Sequence, residues 1–298
     1  MRRLSPIPAL LLLLLLAACS GGDGGSSDGS SPLAAWTSGP KHVDCAEIGP
    51  DTIDAGEAAE LARRIQRWHA AKVLEYVDAH PELVCARLGL DMLPPFAWRS
   101  WNRSRVVEEV GVAGFVAVRT ERPQELLGAL FERGAPHGRV LGLAARFGRD
   151  ALVPWLLEQG VDPASGDALI EAAAAGRLRV VEALLAAGAD PDQRPSRGSV
   201  LDDGDPTPLF FAIYTRRRDV AQTLLDAGAD AEHETTWGRP GHPATLLEWA
   251  IFMKLWPLTQ RLVEEGADPD DLPRDEQVKL ARAARAFHLK PVLAAMGF

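Results

Sequence analysis

Val181-Glu-Ala-Leu-Leu-Ala-Ala-Gly-Ala-Asp-Pro191 is an apolar run that ends in a leucine doublet and breaks at a glycine. The same phrase stands at Pro154-Trp-Leu-Leu-Glu-Gln-Gly-Val-Asp-Pro, at Ala221-Gln-Thr-Leu-Leu-Asp-Ala-Gly-Ala-Asp and at Thr259-Gln-Arg-Leu-Val-Glu-Glu-Gly-Ala-Asp-Pro. A unit of this size cannot bury its own apolar face, so copies must stack, and the repeat decides the architecture. Each glycine follows a helical run, where a chain leaves the helix through a left-handed cap. Leucine pairs one turn beyond Val180 and Val220 give the i, i+3/i+4 stripe of a buried helix face. Thr207 before Pro208 reads as an N-cap and first helical residue. The pairs Ala144-Ala145 and Ala172-Ala173 let helices approach closely.

Outward from the doublets, the units resemble ankyrin repeats. Thr207-Pro208-Leu209 opens one unit, Ala212 and Ile213 fill the small-residue pair, Asp219-Val220 starts the second helix, and Leu224-Leu225 with Gly228-Ala229-Asp230 closes it. The same offsets hold for Leu169, Ala172-Ala173, Gly176, Val180-Val181, Leu184-Leu185 and Gly188-Ala189-Asp190. They hold again for Thr245, Leu247, Ala250, Leu262-Val263 and Gly266-Ala267-Asp268. A weaker copy runs from Arg139 through Ala144-Ala145 to Gly160, and another ends at Gly134-Ala135. The resemblance covers residues 113–298 and implies an all-α solenoid of stacked helix-turn-helix units. Residues 41–112 read as a degenerate N-terminal helical cap, with helices at Ala58–Trp68 and Ala71–His80 and a break at Leu93-Pro94-Pro95-Phe96.

Residues 1–18 have the form of a signal peptide: Arg2-Arg3, then Leu10 to Leu16, an apolar stretch too short to span a bilayer. The ending Leu16-Ala17-Ala18-Cys19 resembles the lipobox of bacterial lipoproteins, which implies acylation of Cys19. Ser20 after the cysteine implies sorting to the outer membrane, facing the periplasm. Residues 19–40 continue as a Gly/Ser-rich spacer. Without the signal, basic residues fall from 32 to 30 against 41 acidic, a net charge of about −11. Such a balance argues against nucleic acid or an anionic lipid surface as partner. With Cys19 acylated, Cys45 and Cys85 remain in an oxidising compartment, either bridged across a loop of about 40 residues or as two buried thiols that never meet.

The sequence carries no nucleophile elbow, phosphate-binding glycine loop, His-Glu-x-x-His or Cys-x-x-Cys, and we expect no enzyme activity, cofactor, small-molecule substrate or metal. His233 and His242 share a loop without metal-ligand spacing, and Asp202-Asp203-Gly204-Asp205 lacks the downstream glutamate of a calcium loop. The ankyrin resemblance implies that variable positions of each first helix face a concave groove. In one unit these are Glu171, Ala174, Ala175 and Leu178; in the next, Phe211, Tyr214, Thr215 and Arg218; in the third, Trp249, Phe252, Met253 and Trp256. Phe211, Tyr214, Arg218, Trp249, Phe252, Met253 and Trp256 are therefore the candidate partner-binding residues, with either a partner or an intramolecular lid above them. Long insertions at Asp192–Pro206 and Glu232–Ala244 flank the same helices.

The reading is a lipid-tethered, periplasm-facing interaction module for a protein partner. The alternatives are an immunity protein that neutralises a secreted toxin, or an accessory factor to an envelope or oxidative-stress enzyme.

Overall fold

A computed structural model describes residues 42–48, 52–67, 70–92, 106–196, 204–236 and 243–298, all within the compact unit Pro40–Phe298. Cys19, the spacer, the break at Leu93-Pro94-Pro95-Phe96 and His242 lie outside them. Fourteen α-helices are described, and they come in seven pairs. These are α1 (Ala55–Gln66) with α2 (Ala70–Ala79), α3 (Val112–Arg119) with α4 (Pro123–Glu132), and α5 (Val140–Arg146) with α6 (Leu152–Glu158). Next come α7 (Ala168–Ala175) with α8 (Leu178–Ala186), and α9 (Pro208–Tyr214) with α10 (Arg218–Asp226). The last are α11 (Leu246–Phe252) with α12 (Trp256–Glu264), and α13 (Arg274–Ala286) with α14 (Lys290–Ala295). Odd-numbered helices stack on odd and even on even along the whole series, which makes a two-layered solenoid.

Residue choice explains the stacking. Ala144, Ala145, Ala172 and Ala173 are fully buried between α5 and α7, where side chains larger than methyl would hold the backbones apart. Gly142 marks the tightest approach, since a Cβ there would lie 1.9 Å from the Gly166 carbonyl oxygen. In the second layer the first leucine of each doublet (Leu156, Leu184, Leu224, Leu262) is buried, each worth about 1.5–3 kcal/mol relative to exposure. The glycines that close the units, Gly134, Gly160, Gly188, Gly228 and Gly266, all have positive φ, as the left-handed cap requires. The Asp after each turn has a local task. Asp162, Asp190, Asp230 and Asp268 each accept a hydrogen bond from the backbone N–H two residues on, at 2.8–2.9 Å. Thr207 and Thr245 cap α9 and α11 through their hydroxyls, at 3.1 Å from the N–H groups of Phe210 and Glu248.

The N-terminal end departs from an all-helical cap. Between α2 and α3 lie a 3₁₀ turn (Pro81–Cys85) and an antiparallel ribbon of β1 (Arg87–Met92) and β2 (Val106–Gly111), in which Leu88 pairs with Val110 and both are buried. The period-two apolar pattern of Leu88 and Leu90 is the local signal for it. Cys45 and Cys85 are disulfide-bonded, with Cα atoms 5.4 Å apart. The bridge ties residues 42–48 to the 3₁₀ turn, and the Val43 N–H donates to the Arg133 carbonyl after α4. Arg133 grips Asp78 of α2 with two hydrogen bonds, at 2.7 and 3.0 Å. That hydrogen-bonded carboxylate holds the guanidinium above its ordinary pKa. No helix among the described residues is long and apolar enough to cross a membrane. The long insertions meet at a short ribbon of β3 (Glu234–Thr235) and β4 (Ala244–Thr245). Gly204 joins it by accepting from the Thr236 N–H and the Thr235 hydroxyl.

Candidate functional site

Equivalent positions of α7, α9 and α11 are filled by different chemistry but share one fate. The first expected groove position holds Glu171, Phe211 and Trp249, which are 2%, 0% and 7% exposed. The expectation of exposure therefore fails for Phe211 and Trp249, and also for Met253, which is buried at the end of α11. The physical reason is the stacking of the first layer. Helices α7, α9 and α11 each lie between two other odd-numbered helices, so this position faces a neighbouring helix rather than a groove.

Glu171 survives burial by pairing. Arg146 from α5 contacts its carboxylate at 2.6 and 2.8 Å, and Arg139 lies 3.8 Å away. In α9 and α11 the same space holds an aromatic cluster. Phe210, absent from the sequence-based candidates, sits at its centre, 5.2 Å from Phe211, 5.6 Å from Tyr214 and 5.5 Å from Trp249 between ring centroids. Tyr214 meets Trp249 edge-on at 5.7 Å, and Trp249 meets Phe252 at 6.0 Å. Such edge-to-face and offset contacts add about 0.5–1.5 kcal/mol each beyond area burial.

Accessibility returns at the turn between first and second helix. Phe252, the last residue of α11, is 53% exposed; Tyr214 and Trp256 are half-buried, and Arg218 is exposed. Four of the seven candidates therefore remain reachable, and they lie at the turn end of the helices. Trp256 stacks on Phe287 of the next unit at 5.7 Å, and Phe287 is itself 56% exposed. Phe287 escaped the sequence reading because the α13–α14 unit lacks the Thr-Pro-Leu and Gly-Ala-Asp marks. Its positive-φ neighbour His288 occupies the place of Lys254 and Arg216, and so shows the register.

The remaining polar candidates have structural tasks. His233 is buried and its Nε2 donates to the Asp205 carbonyl oxygen at 2.8 Å, which stitches the two insertions together. Gly204 and Asp205, of the Asp-rich stretch, both have positive φ, as a polar turn does. Among the described residues one cluster brings three potential metal-ligand atoms within 4.8 Å of one another: Glu57, His80 and Glu82. His80 Nδ1 lies 3.3 Å from Glu57 and 3.8 Å from Glu82, contacts that also join α1 to the 3₁₀ turn.

Comparison with known proteins agrees with this geometry. Residues 141–235 match the family model for ankyrin repeats in three copies. An ankyrin repeat-containing protein of Treponema pallidum (strain Nichols) is 38% identical over 112 residues, covering 36% of this chain. The match takes in 34% of that relative, so the chain spans about a third of its length.

Proposed function

We propose that this chain, an ankyrin-repeat protein, is a protein-binding module held by an acyl chain on Cys19 at the outer membrane, facing the periplasm, and that it catalyses nothing. The observation that carries the binding reading is the accessible aromatic rim of Tyr214, Phe252 and Trp256 beside Arg218. Beneath it Phe210, Phe211 and Trp249 form a packed base. Aromatic and arginine side chains held rigidly at a surface have the composition of an interaction hot spot. The base packs against Tyr214 and Phe252, and Phe287 packs against Trp256, so little side-chain entropy is lost when a partner docks.

The tether rests on Leu16-Ala17-Ala18-Cys19 and on the spacer to residue 40. A single domain on such a leash would search for its partner within reach of the membrane, which raises its effective concentration there. An immunity role is the case in which the partner is a secreted toxin. An accessory role is the case in which it is a resident envelope enzyme.

Two measurements test the proposal. Photo-crosslinkers placed at Phe252 and Trp256 in the living cell should capture a discrete protein adduct, while one at exposed Glu182 of α8 should not. Equal adducts from all three positions would refute a specific site. Separately, Cys19→Ala should leave the membrane fraction, because the described residues offer no spanning helix. A variant still wholly membrane-bound would refute the anchor.

A further inference from the structure

The net charge of −9 conceals a segregation that only the fold reveals. Six successive turns join first to second helices between α3 and α14. They carry twelve arginines and lysines against three carboxylates, Glu121, Asp150 and Asp219. At the opposite end, where second helices close, stand Asp162, Asp190, Asp230, Glu232, Asp268 and Asp270.

The turns touch one another and form a continuous row. Arg149 donates to the Val118 carbonyl in the last turn of α3, at the start of the preceding connection. A Cβ on Gly148 would meet the Arg177 guanidinium, and one on Gly176 would meet the Arg217 side chain. Each of these arginines thus lies across the turn of the unit before it. Arg177, Arg179, Arg216, Arg217 and Arg218 are all exposed. Among the described residues, none of these five has a carboxylate within ion-pair distance, in a chain with 41 acidic residues available. The row then runs into Lys254, Trp256, Phe287 and Lys290.

We infer that the turn row binds an acidic, extended polypeptide segment of the partner, with an apolar residue that seats against Trp256 and Phe287. This rests on the protein-binding reading above and names the chemistry of the partner. Arginine suits the task, because its planar fork holds carboxylates bidentately. Spacing favours an extended chain. Packed helices stand about 8–10 Å apart, and an extended chain of polyproline-II form advances about 3.1 Å per residue with three residues per turn, so every third residue lies on one face and meets the next rung. A bilayer or a nucleic acid presents negative charge over a broad surface, and the acidic remainder of the chain would oppose it. A short acidic segment meets the row alone, beyond which charges are screened within about 8 Å at physiological salt.

The test uses the described chain without its signal segment and three fluorescein-labelled peptides of equal charge. Their acidic residues recur every second, third or fourth position, and each carries one terminal Trp. Fluorescence anisotropy should show the third-position peptide binding tightest, with affinity falling as salt rises. Reversal of charge at Arg179→Glu, Arg216→Glu and Arg218→Glu together should weaken it by about tenfold or more, whereas Glu232→Lys should change it by less than about twofold. Circular dichroism of the triple variant checks that it remains folded. Loss of less than about twofold in that variant would overturn the inference. So would no binding by any peptide at low salt, or tighter binding to phosphatidylglycerol vesicles or oligodeoxythymidylate than to the peptides. Sedimentation that shows the chain pairing basic row to acidic end would assign the row to a second copy and also overturn it. If the peptides fail while crosslinks at Phe252 and Trp256 persist, the interaction module stands and only the partner's chemistry is wrong.

Discussion

Helix α7 and the pair α9 and α11 occupy the same layer, yet one is built around an ion pair and the others around rings. Ala172, Ala173 and Ala174 leave room in α7 for the Arg146–Glu171 contact. Phe210 and Phe211, one unit along, and Trp249, two units along, fill the corresponding volume. The difference teaches that the position, not the residue type, determines burial: a carboxylate and an indole are sequestered alike. It also separates two kinds of stability. Rings contribute by leaving water, whereas a buried ion pair must recover a desolvation cost of several kcal/mol from its own geometry.

The comparison breaks most visibly when the rings are removed. Phe211→Ala or Trp249→Ala should destabilise by about 3–5 kcal/mol, read as a fall in the denaturant midpoint at unchanged slope. A loss below about 1 kcal/mol would return these side chains to the surface. Loss of the disulfide, by Cys45→Ser with Cys85→Ser, should cost about 4 kcal/mol from the loop of about 40 residues it closes. Because that bridge lies far from α9 and α11, its effect should add to that of Trp249→Ala, as distant independent sites do. Coupling between them would mean that the two ends of the solenoid are not energetically separate.

The ion pair sharpens the contrast. Glu171→Ala should cost about 3 kcal/mol, since it leaves Arg146 buried without its carboxylate, while Arg146→Met with Glu171→Leu should be close to neutral. Chemical denaturation of the single and double variants distinguishes the two. The rim residues should matter least to stability. Trp256→Ala should lose about 1 kcal/mol with its stacking on Phe287, and Arg218→Ala should lie within about 0.5 kcal/mol of the parent.

Much of the molecule was legible in local chemistry. Gly188 and Gly228 announce left-handed caps, Thr207-Pro208 announces a helix start, and Leu184 and Leu224 mark the buried face of each second helix. The ribbon β1–β2 was missed because a short alternating run such as Arg87–Met92 competes poorly with the helical pattern on either side. The pair Cys45 and Cys85 was visible as a possibility of composition, but bridging depends on a Cα separation of 5.4 Å that no spacing encodes.

What the sequence determined by itself is the repeat: periodic leucines, small pairs and glycine turns are local demands, and each unit states them in full. What only the tertiary structure decided is which surfaces remain. Whether Trp249 or Phe252 meets the outside depends on how far the neighbouring helix reaches, and Trp249 is buried where Phe252, three residues on, is not. Charge behaves in the same way. A net charge is a sum over the chain, blind to place, and it argued only against nucleic acid or an anionic lipid surface as partner. Stacking collects the arginines of separate turns into one row and the aspartates of separate loops at the other end. The field that a partner meets is the local arrangement, because screening hides charges more than about 8 Å away.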